Sequence, residues 1–229
     1  MLETSFSRIR SLLRFHISRS RDCTIQIHPI SYFNMAAEIE TVSGGPLWYR
    51  NTPPNQLSES PIYRTSDSTL HWINCFSTPC TLHILPIDPL TGDALGPARV
   101  VPIDFAPISV IYFRKDVPGS YICGYRQGIA FLDEETGEAT VLRELYEKDL
   151  MKERSMNDGG VDPQGRFWIG EVDLKALRAG LGGDKLEEGY GGPRGRLWRY
   201  DPDGTCKVMD EGITCANGIG WAPDGKYSE

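Results

Sequence analysis

From about residue 57 onward, short apolar runs alternate with turn residues, and the runs have the length and make-up of β-strands. Rich in aromatic and β-branched side chains, they include Leu70–Ile73, Thr81–Ile87, Val110–Phe113, Tyr121–Cys123 and Ile129–Leu132, and later Phe167–Ile169, Leu197–Tyr200 and Ile219–Trp221. Between them recur Asp88-Pro-Leu-Thr-Gly-Asp93, Asp133-Glu-Glu-Thr-Gly-Glu138, Asp162-Pro-Gln-Gly165, Asp201-Pro-Asp-Gly204 and Pro223-Asp-Gly225. An Asp side chain can bond backbone two residues on, and Gly supplies positive φ, so each predicts a hairpin tip.

The recurrence carries more than the runs do. Asp88 and Asp133 lie 45 residues apart, the spacing of one four-stranded propeller blade. The next tip of that kind, Asp201, follows after 68 residues. That longer interval holds Asp173–Gly195, which starts helix-like at Leu174, Ala176 and Leu177, ends Gly-rich, and predicts an insertion between strands. An all-β propeller fits this spacing better than a sandwich.

Composition agrees: 24 Gly and 16 Pro exceed a sixth of the 229 residues, without collagen periodicity. A net charge of −7 argues against nucleic acid as a partner, because phosphate binding needs clustered Lys and Arg. Residues 1–34 differ, with five arginines against Glu3 and Asp22, a net of +3 that leaves −10 on the rest. This Arg/Ser-rich extension is either a mitochondrial presequence or a leader ahead of a start at Met35, which divides the chain into 1–34 and a propeller-forming 35–229. No run approaches the roughly 20 apolar residues that span a bilayer, and Arg14 and His16 interrupt the only early apolar stretch. With six Cys, no C-x-x-C pair and no secretory signal, reduced thiols and a cytoplasmic location are expected, mitochondrial if 1–34 is a presequence.

Several catalytic signatures are missing. The four His never pair as H-E-x-x-H, no G-x-S-x-G elbow occurs, and Gly180–Gly195 lacks the Lys-Ser/Thr of a P-loop. Three other segments matter together: Ser58-Glu59-Ser60-Pro61-Ile62-Tyr63, with its acid just ahead of a strand; Asn157-Asp-Gly-Gly-Val-Asp-Pro-Gln-Gly-Arg-Phe-Trp-Ile-Gly170; and Ala216-Asn-Gly-Ile-Gly-Trp-Ala-Pro-Asp-Gly225. Taken singly, Asn-Asp-Gly-Gly and Asn-Gly are turn formers.

In that order and spacing the three segments resemble the regucalcin/gluconolactonase family, also called the senescence marker protein 30 family, from about Glu59 to the C-terminus. The resemblance implies a six-bladed propeller with a divalent metal at the mouth of its central channel, hydrolysing sugar lactones such as gluconolactone. By position, Glu59 and Asn217 match metal ligands, and Asn157 matches a residue that contacts substrate or metal-bound water. Carboxylate and amide oxygens are hard ligands that suit Ca²⁺ first, with Mg²⁺, Mn²⁺ and Zn²⁺ as alternatives.

There are departures. Ser58 replaces the family's glycine, Ser155 stands where a substrate-binding arginine is expected with Arg154 one place early, Gly160 replaces a lysine, and Glu171-Val172 replaces Thr-Met. The family's catalytic aspartate would fall beyond Glu229, so no catalytic residue is assigned, and 35–229 is expected to hold about four blades at roughly 45–50 residues each. An incomplete ring would self-associate through its exposed blade edges. Two functions follow: a lactone hydrolase lacking its base segment, or a noncatalytic calcium- or protein-binding partial propeller.

Overall fold

A computed structural model of the chain describes residues 49, 51, 53–183 and 185–222, all within one unit, Gly44–Glu229. The extension expected at 1–34 and the turn expected at Pro223-Asp224-Gly225 lie outside the described residues. Among the described residues, twelve strands form three four-stranded antiparallel sheets, each in sequence order. The first comprises β1 (Ser58–Arg64), β2 (Thr69–Asn74), β3 (Cys80–Pro86) and β4 (Arg99–Ile103). The second comprises β5 (Ile108–Phe113), β6 (Ser120–Tyr125), β7 (Gly128–Asp133) and β8 (Ala139–Glu144). The third comprises β9 (Arg154–Val161), β10 (Phe167–Asp173), β11 (Gly195–Tyr200) and β12 (Cys206–Ile213). Strand β1 lies beside β5, and β5 beside β9, so the first strands of successive sheets are neighbours. Among the described residues no helix is long and apolar enough to cross a membrane.

The repeated tips form as their sequences require. In both Asp88–Asp93 and Asp133–Glu138 the aspartate Oδ1 accepts from the amides two and three residues on, and the glycine amide closes onto the aspartate carbonyl. Together with Asp201 they join the third and fourth strands of their sheets, so the 45- and 68-residue intervals count sheets. The longer interval contains α1 (Leu174–Gly180), capped by Asp173 Oδ1 accepting from the Lys175 and Ala176 amides at 3.0 Å each.

Three expectations change. Asn157-Asp-Gly-Gly160 is not a turn but the middle of β9, because β10 pairs alongside it. Glu59 lies within β1 and not ahead of it. The strand expected at Ile219–Trp221 is irregular apart from a bridge residue at Trp221, because both side chains pack over Gly160. The outer strands β4, β8 and β12 went unrecognised for a common reason. Their faces are largely exposed, so no apolar alternation marks them.

The middle sheet is buried on both faces. Ile111, Tyr121, Cys123 and Leu132 pack with Ile73, Leu82 and Ile84 of the first sheet, while Val110 and Ile129 pack with Met156, Phe167 and Ile169 of the third. Cys75, Cys80 and Cys123 are buried, and with Cys206 and Cys215 they are free thiols, as the cysteine spacing predicts.

Of the buried ionisable groups, two sit in polar clusters that interrupt the apolar packing, His71 and Glu171. In β2, His71 has its Nδ1 2.8 Å from the Tyr121 hydroxyl, which donates to Glu134 at 2.8 Å, and its Nε2 2.6 Å from the Thr69 hydroxyl. Glu134 also pairs with Arg64 and Arg99, so this group ties the first two sheets together. In the third sheet, fully buried Glu171 accepts from Trp198 Nε1 at 2.7 Å and pairs with Arg196 at 3.0 Å and Arg154 at 3.4 Å.

Both give stability predictions. Burial, reinforced by the Arg64 charge, lowers the His71 pKa to about 4. The folded protein therefore takes up this proton later than the unfolded chain does. The stabilising contribution is complete above the unfolded value of about 6.5 and is lost as pH falls toward 4. Melting curves from pH 7.5 to 4 should show a fall of roughly 5 °C attributable to this residue, and His71→Gln should flatten that part of the profile. Glu171→Ala would leave two guanidinium groups without their buried partner. Urea denaturation should register a loss of about 3–5 kcal/mol.

Candidate functional site

Glu59 and Asn157 lie in the first strands β1 and β9 at irregularities in pairing, and Asn217 lies in the segment after β12. In β1 the register slips between Glu59 and Ile62, so Ser60 and Pro61 together oppose Trp72, and Ser60 adopts φ +54°. In β5 it slips between Ile108 and Val110. In β9 it slips so that Asn157 and Asp158 together oppose Gly170. Each first strand thus carries a bulge, a device that re-aims side chains.

The β9 bulge has a direct consequence. Adjacent side chains of a regular strand point to opposite faces. Here Asn157 and Asp158 both reach the segment after β12: Asn157 Nδ2 donates to the Ala216 carbonyl at 2.7 Å, and Asp158 Oδ2 accepts from the Gly218 amide at 2.8 Å. These bonds hold the backbone on either side of exposed Asn217. Glycines make the close approach feasible. A Cβ on Gly170 would collide with Ala216, and one on Gly160 would meet Trp221 at 2.8 Å. Gly160, where the family carries lysine, therefore has no room for a side chain.

Glu59 is half-buried, and its carboxylate has no hydrogen-bond or ion-pair partner among the described residues. Burial, and secondarily the charge of Asp158, push its carboxyl above the ordinary value. The same two acids raise the Cys215 thiol further beyond what burial does. Asp158 is the residue that sequence reasoning missed: it was hidden in a quartet with turn chemistry, and only the β9 pairing shows it turned toward the 216–218 segment. Glu59 lines a cavity of about 380 Å³ with Trp72, Leu70 and Leu85, whereas Asp158 and Asn217 line a separate one of about 190 Å³. The acids are coupled through their charges, not through a shared cavity.

This donor set fits a hard cation. A carboxylate without a partner among the described residues feels the charge of a second acid, and Asn157, its amide nitrogen already engaged, has an oxygen to offer. No group of three or more His, Cys, Asp or Glu stands together among the described residues, so any cation would depend on the Asn oxygens.

The motif Asn157–Gly170 divides into two working parts. Asn157 and Asp158 hold the 216–218 segment. Asp162 serves the fold at the other end of the hairpin, accepting from the Gln164 and Arg166 amides and from Trp168 Nε1 at 2.9 Å. The departures also have structural causes. Arg154 is committed to Glu171, so it does not stand in for the arginine absent at Ser155.

Residues 57–228 match the family model described as SMP-30/Gluconolactonase/LRE-like region. A 6-deoxy-6-sulfogluconolactonase of Pseudomonas putida is 29% identical over 174 residues, which cover 75% of this chain and 50% of that protein. An uncharacterized protein of Sulfolobus acidocaldarius is 36% identical over 84 residues, 36% of this chain and 26% of that one. Among solved structures, a luciferin-regenerating enzyme superposes with a TM-score of 0.57 at 22% identity, covering 75% of this chain and 51% of its own. Regucalcin from Agrobacterium tumefaciens, titled a calcium-binding protein, superposes at 0.54 with 25% identity, covering 74% of this chain and 48% of its own. The chain thus spans half the length of the sulfogluconolactonase or of either structure. With three-quarters of its length matched by the family model and its sheets laid out as in these structures, the chain belongs to the SMP-30/gluconolactonase/LRE-like family.

Proposed function

We propose that the protein is a sugar-lactone hydrolase of the six-bladed propeller type, in which Glu59 and Asn217 bind a divalent cation and Asn157 contacts the substrate. The observation that carries this reading is the Glu59 carboxylate, half-buried, without a partner among the described residues and opposed by the Asp158 charge. Two like charges in partial burial are unfavourable unless a cation or a proton joins them. The sulfogluconolactonase supports a sugar lactone as substrate, and the regucalcin supports calcium as the cation.

A bound divalent cation would supply polarisation of the lactone carbonyl. The chain's own residues do the rest of what is visible. Glu59 provides the anionic oxygen. Asn157, its amide nitrogen fixed on Ala216, presents its oxygen in one orientation. Asp158 holds the Gly218 amide and with it the placement of Asn217. A noncatalytic calcium-binding module is the second reading. It is favoured by Ser155 and by the commitment of Arg154 to Glu171, which leave the substrate arginine unreplaced.

Calorimetric titration of the chelator-treated chain with Ca²⁺ or Mn²⁺, alongside a pH-indicator assay on gluconolactone, tests both. Cation binding is expected, with hydrolysis, where it occurs, dependent on the cation. Altering an outer-shell partner typically costs 10–100-fold in metal affinity, so Glu59→Gln should weaken binding by roughly 100-fold or more and abolish hydrolysis with the fold intact. Binding without turnover of any lactone would select the module, and absence of binding would sink the cation site.

A further inference from the structure

The bulge that carries Glu59 is fastened across a sheet boundary. Ser60 Oγ donates to the Ile111 carbonyl at 3.0 Å and accepts from the Ile111 amide at 2.9 Å. Ile111 is in β5, the first strand of the next sheet, and is fully buried. It pairs with Cys123 of β6 on one side, so both backbone groups bound by Ser60 belong to the opposite, open edge of β5. A hydroxyl has one proton and two lone pairs, so it can satisfy an amide and a carbonyl together, as a neighbouring strand would. Without it, two buried backbone groups would be left without partners.

The position is also conformationally unusual. A serine at φ +54° lies in the left-handed region that non-glycine residues rarely occupy, and such a residue persists when its surroundings hold it there. Here the surroundings are the two bonds to Ile111. They pin the residue directly after Glu59, inside the bulge where Ser60 and Pro61 share one partner.

We propose that Ser60 is a positioning residue: by locking the β1 bulge onto the Ile111 backbone of β5, it aims Glu59 at the cation. The proposal rests on the cation reading above. Ser60 makes no contact with substrate or metal in this role and acts only through Glu59. A neighbouring tie, Tyr112 hydroxyl to the Gly159 carbonyl at 3.2 Å, joins β5 to β9 beside Asp158. The Arg143–Gly204 bond at 2.9 Å joins the second and third sheets through an exposed hairpin tip away from the bulges, and provides a control.

The test compares wild type, Ser60→Ala, Ser60→Gly and Arg143→Ala in the full chain. Glycine tolerates the positive φ while lacking the whole hydroxymethyl group, which guards against simple misfolding of the alanine variant. Three measurements are made: Ca²⁺ and Mn²⁺ affinity by calorimetry, melting temperature, and hydrogen exchange at the Ile111 amide. Both Ser60 variants should bind the cation 10–100-fold more weakly, the range found for residues that orient a metal ligand. They should also lose protection at Ile111. Arg143→Ala should lower the melting temperature while leaving cation affinity at the wild-type value. Wild-type affinity in Ser60→Gly, unchanged Ile111 protection, or equal weakening by Arg143→Ala would each overturn the proposal. A wild-type chain that binds neither ion overturns the cation reading itself, an outcome distinct from normal binding in the variants.

Discussion

The middle sheet of the three has no solvent face. Ile111, Tyr121 and Cys123 on one side and Val110 and Ile129 on the other bury it between its neighbours, and every feature near the candidate site is referred to that slab. Close packing on both faces leaves little tolerance for sliding, because interiors at near-crystalline density resist displacement. The first strands β1, β5 and β9 are therefore held side by side, with their bulges near the same end. Glu59 is brought into the field of Asp158 from a position 99 residues earlier in the chain, with no direct bond between them.

Polar contacts then convert packing into alignment. At one end, Arg64, Arg99, Glu134, Tyr121 and His71 join the first two sheets through a connected set of bonds. Toward the other end the Ser60 hydroxyl links the same two sheets. The densely bonded end carries no candidate site residue. The other end carries Glu59, whose carboxylate has no partner among the described residues. The polar network and the candidate site thus lie toward opposite ends of the same strands.

The family's sequence signature separates along the same line. Asp162, Arg166 and Trp168 close the β9–β10 hairpin. Asn157, Asp158, Gly170 and Ala216–Gly218 interlock where β9, β10 and the segment after β12 meet. Glu171, a departure from the family pattern, is matched by Arg196 and Arg154, which keeps a buried carboxylate tolerable.

The sequence by itself was enough for the β class, the hairpin tips at Asp88, Asp133 and Asp201, the insertion after Asp173, and the family to which Glu59, Asn157 and Asn217 point. These depend on local chemistry: aspartate turns, positive-φ glycines and strand-forming runs act over a few residues. The outer strands were not legible, because half-exposed edges carry little apolar alternation. Nor was the strand character of Asn157–Gly160, whose turn chemistry is overruled by β10 pairing alongside it. Asp158 and Ser60 could not be assigned from sequence either. One matters through a charge met across two sheets, the other through a backbone 51 residues away. Such partners exist only once the middle sheet is packed on both sides, so the site's geometry was decided by tertiary structure.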